Sequence, residues 1–145
     1  FQELNYVNRV DYLKHYDILF DMPHKTQQRS SILEVLDEIG RPVTPSELLD
    51  YSSVKSPGLG LATVYRALKQ LVETGKVRKI EISGVPPHYE VLCEKHHHHF
   101  FVCEECQTMS VLAGCSGGFK KLLPAGSKMT SHEVVIYGEC QDCVT

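Results

Sequence analysis

No run in this chain approaches the roughly 18 consecutive apolar residues that a membrane-spanning helix requires. The amino terminus also lacks the basic, then apolar, then small-residue order of a secretory signal. The expectation is a cytoplasmic setting without membrane attachment. Several enzyme signatures are missing as well. There is no HExxH, no HxE followed by PCxxC, no glycine-rich phosphate loop and no recognisable Ser/His/Asp arrangement. Neither enzymatic chemistry nor a small-molecule substrate is therefore expected, and no repeat of solenoid length is present.

With 145 residues, 42% of them hydrophobic, the chain can bury one ordinary core or two small ones. A net charge of -3 excludes a wholesale polycation, but the average hides a division. From Lys55 to Lys79 the local balance is +5, whereas from His96 onward it is -2. The charge thus separates a basic half from a weakly acidic one.

The pattern along the chain predicts a loose N-terminal helix, then three helices and a hairpin. A loose helical pattern covers Tyr6 to Phe20, and Ile32, Val35, Leu36 and Ile39 give a helix over Thr26 to Ile39 that Gly40 stops. Thr44, Pro45, Ser46 and Glu47 spell a capping box with proline at the first helical position, predicting a short helix to about Tyr51. A third helix, Leu61 to Thr74, buries Leu61, Val64, Leu68, Leu71 and Val72, and Gly75 closes it. Strands at Lys76 to Ile82 and His88 to Leu92 flank SGVPP. That order predicts a winged helix-turn-helix, whose second helix lays side chains in a DNA major groove. Beyond it a small α/β domain is expected, with strands near Phe100 to Cys103, Thr108 to Leu112 and Glu133 to Tyr137 and a helix at Phe119 to Leu123. The fold class is α+β, with residues 1–92 as the DNA-binding domain and 93–145 as a metal-binding dimerisation domain.

Six cysteines would suit a disulfide scaffold, but four of them form two CxxC pairs, Cys103 with Cys106 and Cys140 with Cys143, 33 residues apart. Each knuckle points two thiolates at one ion, and two knuckles close the tetrahedral shell of structural zinc, leaving no open position for catalysis. His96, His97, His98 and His99 run consecutively just upstream. On a strand, alternation sends His96 and His98 to one face and His97 and His99 to the other, so two metal sites could share the run. Glu90, Cys93 and His132 are further candidate ligands, and a set of thiolate, imidazole and carboxylate favours zinc over hard cations. Cys115 is open to three readings, a ligand, a redox-sensitive thiol or a buried small residue, of which the last is preferred. His15, His24 and His88 have no ligand spacing and read as structural or surface residues.

These motifs in combination resemble the ferric uptake regulator (Fur) superfamily. They are TQQR at Thr26 to Arg29, ATVYRAL at Ala62 to Leu68, HHHHFFVCEEC at His96 to Cys106 and SHEVVIYGECQDC at Ser131 to Cys143. The resemblance implies a homodimer that binds a palindromic double-stranded operator when a regulatory metal is bound, and so represses transcription. Thr63, Tyr65 and Arg66 would then face DNA, while Arg29 and the basic wing would mostly meet phosphate. A cysteine before the His run, as Cys93 is, resembles the zinc-responsive Zur branch, with iron(II) or manganese(II) as the other regulatory ions. The chain departs from the family pattern in three places. His99 precedes Cys103 by four positions instead of three, Val111 stands where an acidic ligand is common, and Pro42 stands near a usual interdomain histidine. Individual histidines are consequently not assigned to individual sites. The expected function is metal-dependent repression, with a peroxide- or iron-sensing regulator of the same family as the alternative and a zinc-buffering protein as a third.

Overall fold

A computed structural model describes residues 24–93, 97–115 and 117–144. The expected helix over Tyr6 to Phe20 and the candidate ligand His96 lie outside the described residues. Helix α1 (His24–Ile39) buries Ile32, Leu33, Val35 and Leu36 and ends where Gly40 takes a left-handed φ of 66°. Helix α2 (Pro45–Lys55) starts on the capping box. The Glu47 amide donates to Thr44 Oγ1 at 3.2 Å, and the Thr44 amide donates to the Glu47 carboxylate at 2.9 Å. It runs one turn past the expected Tyr51, because Ser52 is buried in the bundle and Lys55 reaches Glu38 of α1 at 2.6 Å.

Helix α3 (Leu61–Glu73) centres its apolar face on Val64, Ala67, Leu68 and Leu71. Leu61 and Val72, expected to be buried, fall on the edges of that stripe and are exposed, while Ala67 takes their place. The i, i+3, i+4, i+7 geometry explains the exchange. At its end, Gly75 adopts φ of 70° and Lys76 N–H donates to Leu71 C=O at 2.9 Å, the six-to-one bond of a left-handed helix stop.

The wing is the antiparallel pair β1 (Val77–Ile80) and β2 (His88–Val91), in which Arg78 faces Glu90 across the strands. A single bridge between Val43 and Tyr89 ties it to the helical bundle. Helices α1 to α3, Val43, Val77 and Tyr89 share one core. The second sheet has the order β4-β3-β5, where β3 is Phe100–Cys103, β4 Met109–Val111 and β5 Val135–Gly138. Strand β4 is antiparallel to β3 and β5 is parallel to it. The excursion between β4 and β5 carries a 3₁₀ helix, Gly118–Leu122, at the expected helix position.

The second core joins Phe100, Val102 and Met109 to Ile80 of the wing, with Ile82 and Val85 packed against them. The wing therefore lies against the second sheet as well as the bundle. Among the described residues, no helix is long and apolar enough to cross a membrane.

Candidate metal centres and nucleic-acid interface

The parallel pairing of β3 with β5 brings four segments together as two groups, one at each end of the strands. Both strands finish at one edge, where Cys103 is level with Gly138. The turns that follow them deliver Cys106, Cys140 and Cys143 to that edge. All four sulfurs lie within 4.8 Å of one another, and the described residues contain no disulfide. Cys106 Sγ and Cys140 Sγ are 3.7 Å apart, well outside bonding distance.

Cys103 is buried, and its sulfur accepts the Cys140 amide at 3.3 Å. The backbone N–H groups of Cys106 and then Cys140 hold its thiol down to about 6. Hydrogen bonding with Thr108 lowers Cys106 as well, whereas Cys140 and Cys106 push the Cys143 thiol up. Sulfurs this close cannot all ionise without a cation between them. The donor set suits zinc, and its uptake would release protons.

The opposite edge holds the second group. His97 and His99 lead into β3, and His132 stands three residues before β5. Antiparallel β4 ends at this edge too, and the turn after it brings Cys115. The ligand atoms of His97, His99, Cys115 and His132 lie within 4.8 Å of one another. His132 Nε2 is 3.2 Å from His97 Nε2 and 3.0 Å from Cys115 Sγ.

His99 is 3% exposed, and neither ring nitrogen has a partner among the described residues. Its position is fixed by the backbone, since Leu112 N–H donates to His99 C=O at 2.8 Å and Phe100 N–H to Val134 C=O at 2.9 Å. Burial lowers its pKa, and His132 and His97 lower it further, so the ring is held neutral with a lone pair to offer. Phe119 of the 3₁₀ helix lies 4.8 Å from the His132 ring and walls the group, with Leu112 and Val134, beside a shallow cleft. Three imidazoles and one thiolate, with two orphaned buried nitrogens, fit a borderline-soft ion such as zinc.

The remaining candidates separate from both groups. The segment 97–99 is not in a strand, but its side chains still alternate, and His98 turns to the other side. There His98 Nδ1 meets the Glu90 carboxylate at 3.1 Å, and Arg78 Nε and Nη2 both reach Glu90 Oε1 at 2.5 Å. Glu90 is thus buried against a guanidinium. Cys93 is exposed and belongs to neither four-ligand group, whereas Cys115, read from sequence as a buried small residue, is exposed and belongs to one. Its signal was its place in a glycine-rich turn directly after a strand that returns to the His run. His88 is buried, with Nδ1 on Pro86 C=O at 2.7 Å, a structural histidine.

On the bundle, Tyr65 is 48% exposed, and Arg66 donates to Thr63 Oγ1 at 3.1 Å on the same face of α3. Arg29 of α1 reaches Gln70 of α3 at 3.3 Å, so the four candidate DNA contacts come from two adjacent helices. The wing is less available to phosphate than its composition suggests, because Arg78 is engaged by Glu90 and Lys79 by Glu81 at 2.6 Å.

The family model described as the ferric uptake regulator family matches residues 23–137. The ferric uptake regulation protein of Campylobacter jejuni is 31% identical, over 88% of this chain and 90% of its own. The structure of the Helicobacter pylori ferric uptake regulator, described as having three functional metal binding sites, superposes with a TM-score of 0.63 at 22% identity. It covers 92% of this chain and 87% of its own. That of Vibrio cholerae gives 0.62 at 25% identity over 92% and 100%. The chain belongs to the ferric uptake regulator family and is a metal-responsive transcription regulator, not an enzyme.

Proposed function

We propose that this chain is a zinc-responsive repressor, acting in the cytoplasm as a homodimer on palindromic operator DNA. Residues 1–92 would form the DNA-binding domain and 93–145 the metal-binding dimerisation domain. Cys103, Cys106, Cys140 and Cys143 hold a structural zinc, and His97, His99, Cys115 and His132 hold the regulatory one. The observation that carries the reading is the second group, where a buried histidine, its two nitrogens unpartnered among the described residues, stands beside an exposed thiol and two more imidazoles. A sulfur among the donors favours zinc over iron(II) or manganese(II). The sulfur is Cys115 in this reading, in place of Cys93, which supports the zinc-responsive Zur branch by a different residue. The Glu90 and His98 face, which has the nitrogen and oxygen donors suited to iron, is engaged by Arg78 instead.

Bound zinc supplies a cross-link between donors that are far apart in sequence. His97 and His99 tether the segment leaving the wing to β3. His132 and Cys115 anchor that segment to the rest of the second sheet. With all four engaged, the wing and the bundle behind it hold one orientation on the sheet, and the population shifts towards the spacing that two half-sites require. Thr63, Tyr65 and Arg66 then meet base edges, and Arg29 meets phosphate.

The test starts from chelated protein and a pool of randomised palindromic duplexes, followed by mobility-shift titrations with zinc, iron(II) and manganese(II) on the selected sequence. Zinc is expected to restore binding at the lowest free concentration, with two equivalents per chain. Equal operator affinity with and without metal would remove the switch. Iron-dependent oxidation of a ligand histidine by peroxide, seen by mass spectrometry, would instead favour the peroxide-sensing alternative.

A further inference from the structure

The two candidate centres each have an exposed sulfur, Cys106 in one and Cys115 in the other, and differ in what remains when that sulfur is lost. In the four-cysteine group Cys106 is exposed too, but Cys103 is buried with its sulfur accepting a backbone amide, and the loss of one donor would leave three thiolates to hold an ion. In the histidine group the single sulfur is Cys115, exposed in a turn with Gly114 at φ of 78° on one side and Gly117 at φ of 66° two residues beyond. The far wall of that group is His99, buried and with no other partner for its nitrogens among the described residues. One sulfur at the rim, opposite a buried donor, places the most oxidisable ligand where solutes arrive first.

Building on the metal-centre reading above, we propose that Cys115 is a redox trigger: hydroperoxides oxidise its sulfur and thereby release the ion held with His97, His99 and His132. In the step, the Cys115 thiolate attacks one peroxide oxygen, so that an S–O bond forms as the O–O bond breaks. Sulfur gives up two electrons. The departing oxygen leaves as hydroxide, or as alkoxide from an organic peroxide, and takes a proton from water. The resulting sulfenic acid is a poor donor, and only the three imidazoles remain. A small thiol reverses the change. It condenses with the sulfenic acid to a mixed disulfide and water, and a second small thiol cleaves that disulfide, restoring Cys115 and leaving the two small thiols joined.

The experiment takes the full chain loaded with zinc, counts zinc per chain, and adds hydrogen peroxide in the presence of a chromogenic zinc chelator. Dimedone labelling and peptide mass mapping locate the sulfenic acid. One of two equivalents should be released, the adduct should lie on Cys115, and glutathione should restore zinc binding. In a Cys115→His chain, where sulfur alone is removed from the donor set, the peroxide-driven release should vanish. Release with an unchanged time course in that variant overturns the proposal, as does an adduct confined to the four-cysteine group. A single equivalent before any peroxide is added removes the second centre itself, and with it the trigger. Two equivalents that both survive peroxide remove only the trigger.

Discussion

Arg78 and Glu90 face each other across the two strands of the wing, and both Nε and Nη2 of the arginine reach one oxygen of the buried carboxylate at 2.5 Å. The Arg78 guanidinium also lies 5.3 Å over the Phe100 ring, the first residue of the second sheet, and His98 shares the same carboxylate at 3.1 Å. The Arg78 guanidinium therefore joins the wing to the second sheet. Removing it leaves the Glu90 carboxylate buried without its partner. Arg78→Ala should cost about 2–3 kcal/mol, at or just below the foot of the range of about 3–5 kcal/mol for a broken buried pair, because the arginine is itself partly solvated. Glu90→Gln combined with Arg78→Ala should recover part of that loss, and urea unfolding of the four corners of the double-mutant cycle reads the coupling. A coupling indistinguishable from zero would mean that the contact is only a surface pairing.

The second relationship with a stability consequence is the cap of α2. Burial alone would raise the Glu47 carboxyl, but the Thr44 amide and the Arg41 guanidinium outweigh it and lower the pKa below the ordinary 4.5. Arg41 Nη2 lies 2.9 Å from the carboxylate. A depressed folded-state value means that this contribution is complete above about pH 4.5 and is lost as pH falls through the lower folded value. Glu47→Gln should flatten that part of the acid limb. Thr44→Ala, which removes the side-chain half of the cap, should cost about 1 kcal/mol at neutral pH. Thermal unfolding at a series of pH values checks both.

Much of this arrangement is legible in the sequence. The TPSE box and the glycine after α3 specify local backbone geometry, so the helix order followed from a few residues at fixed offsets. The paired CxxC knuckles likewise carry their chemistry in their spacing. The division of the His run also followed from alternation, although the segment is not a strand. Partnerships set by register and crossover were not legible. Arg78 meets Glu90 only because the hairpin pairs them, and nothing in either strand alone announces that a cation already occupies that carboxylate. Cys115 joins His132 because β5 returns parallel to β3, a pairing across a long connection. Cys93, expected as a ligand, stands in neither four-residue group, and the cysteine beside His132 arrives from the turn after another strand.

For DNA binding, the exposed face of α3 and the neighbouring Arg29 make separable predictions under the proposed function. Arg66 is held over Thr63 and is placed to read a base edge, so Arg66→Ala should cost about 1–3 kcal/mol on the selected operator and relax the preference at one position. Arg29→Ala should weaken all sequences alike and reduce the slope of log affinity against log salt by about one unit, as expected for one lost phosphate contact. Mobility shifts over a salt series distinguish the two. A slope unchanged in Arg29→Ala, with altered sequence preference instead, would reverse the assignment.

His99 makes the trade between stability and function measurable. It is buried, its ring is held neutral by burial and by the neighbouring His132 and His97, and its two nitrogens have no partner among the described residues. An unpaired buried polar group costs about 1–3 kcal/mol, and a leucine of similar bulk carries no such cost. In the presence of chelator, His99→Leu should therefore unfold at a higher temperature than the unaltered chain, by an amount corresponding to about 1 kcal/mol. With zinc the order should invert, because binding to the folded state alone stabilises in proportion to the logarithm of free metal, and only the unaltered chain keeps all four donors. The variant should also hold one zinc equivalent fewer and bind operator independently of added zinc. A His99→Leu chain that is less stable under chelation and still takes up both equivalents would show that this histidine packs the edge of the sheet and does not wait there for an ion.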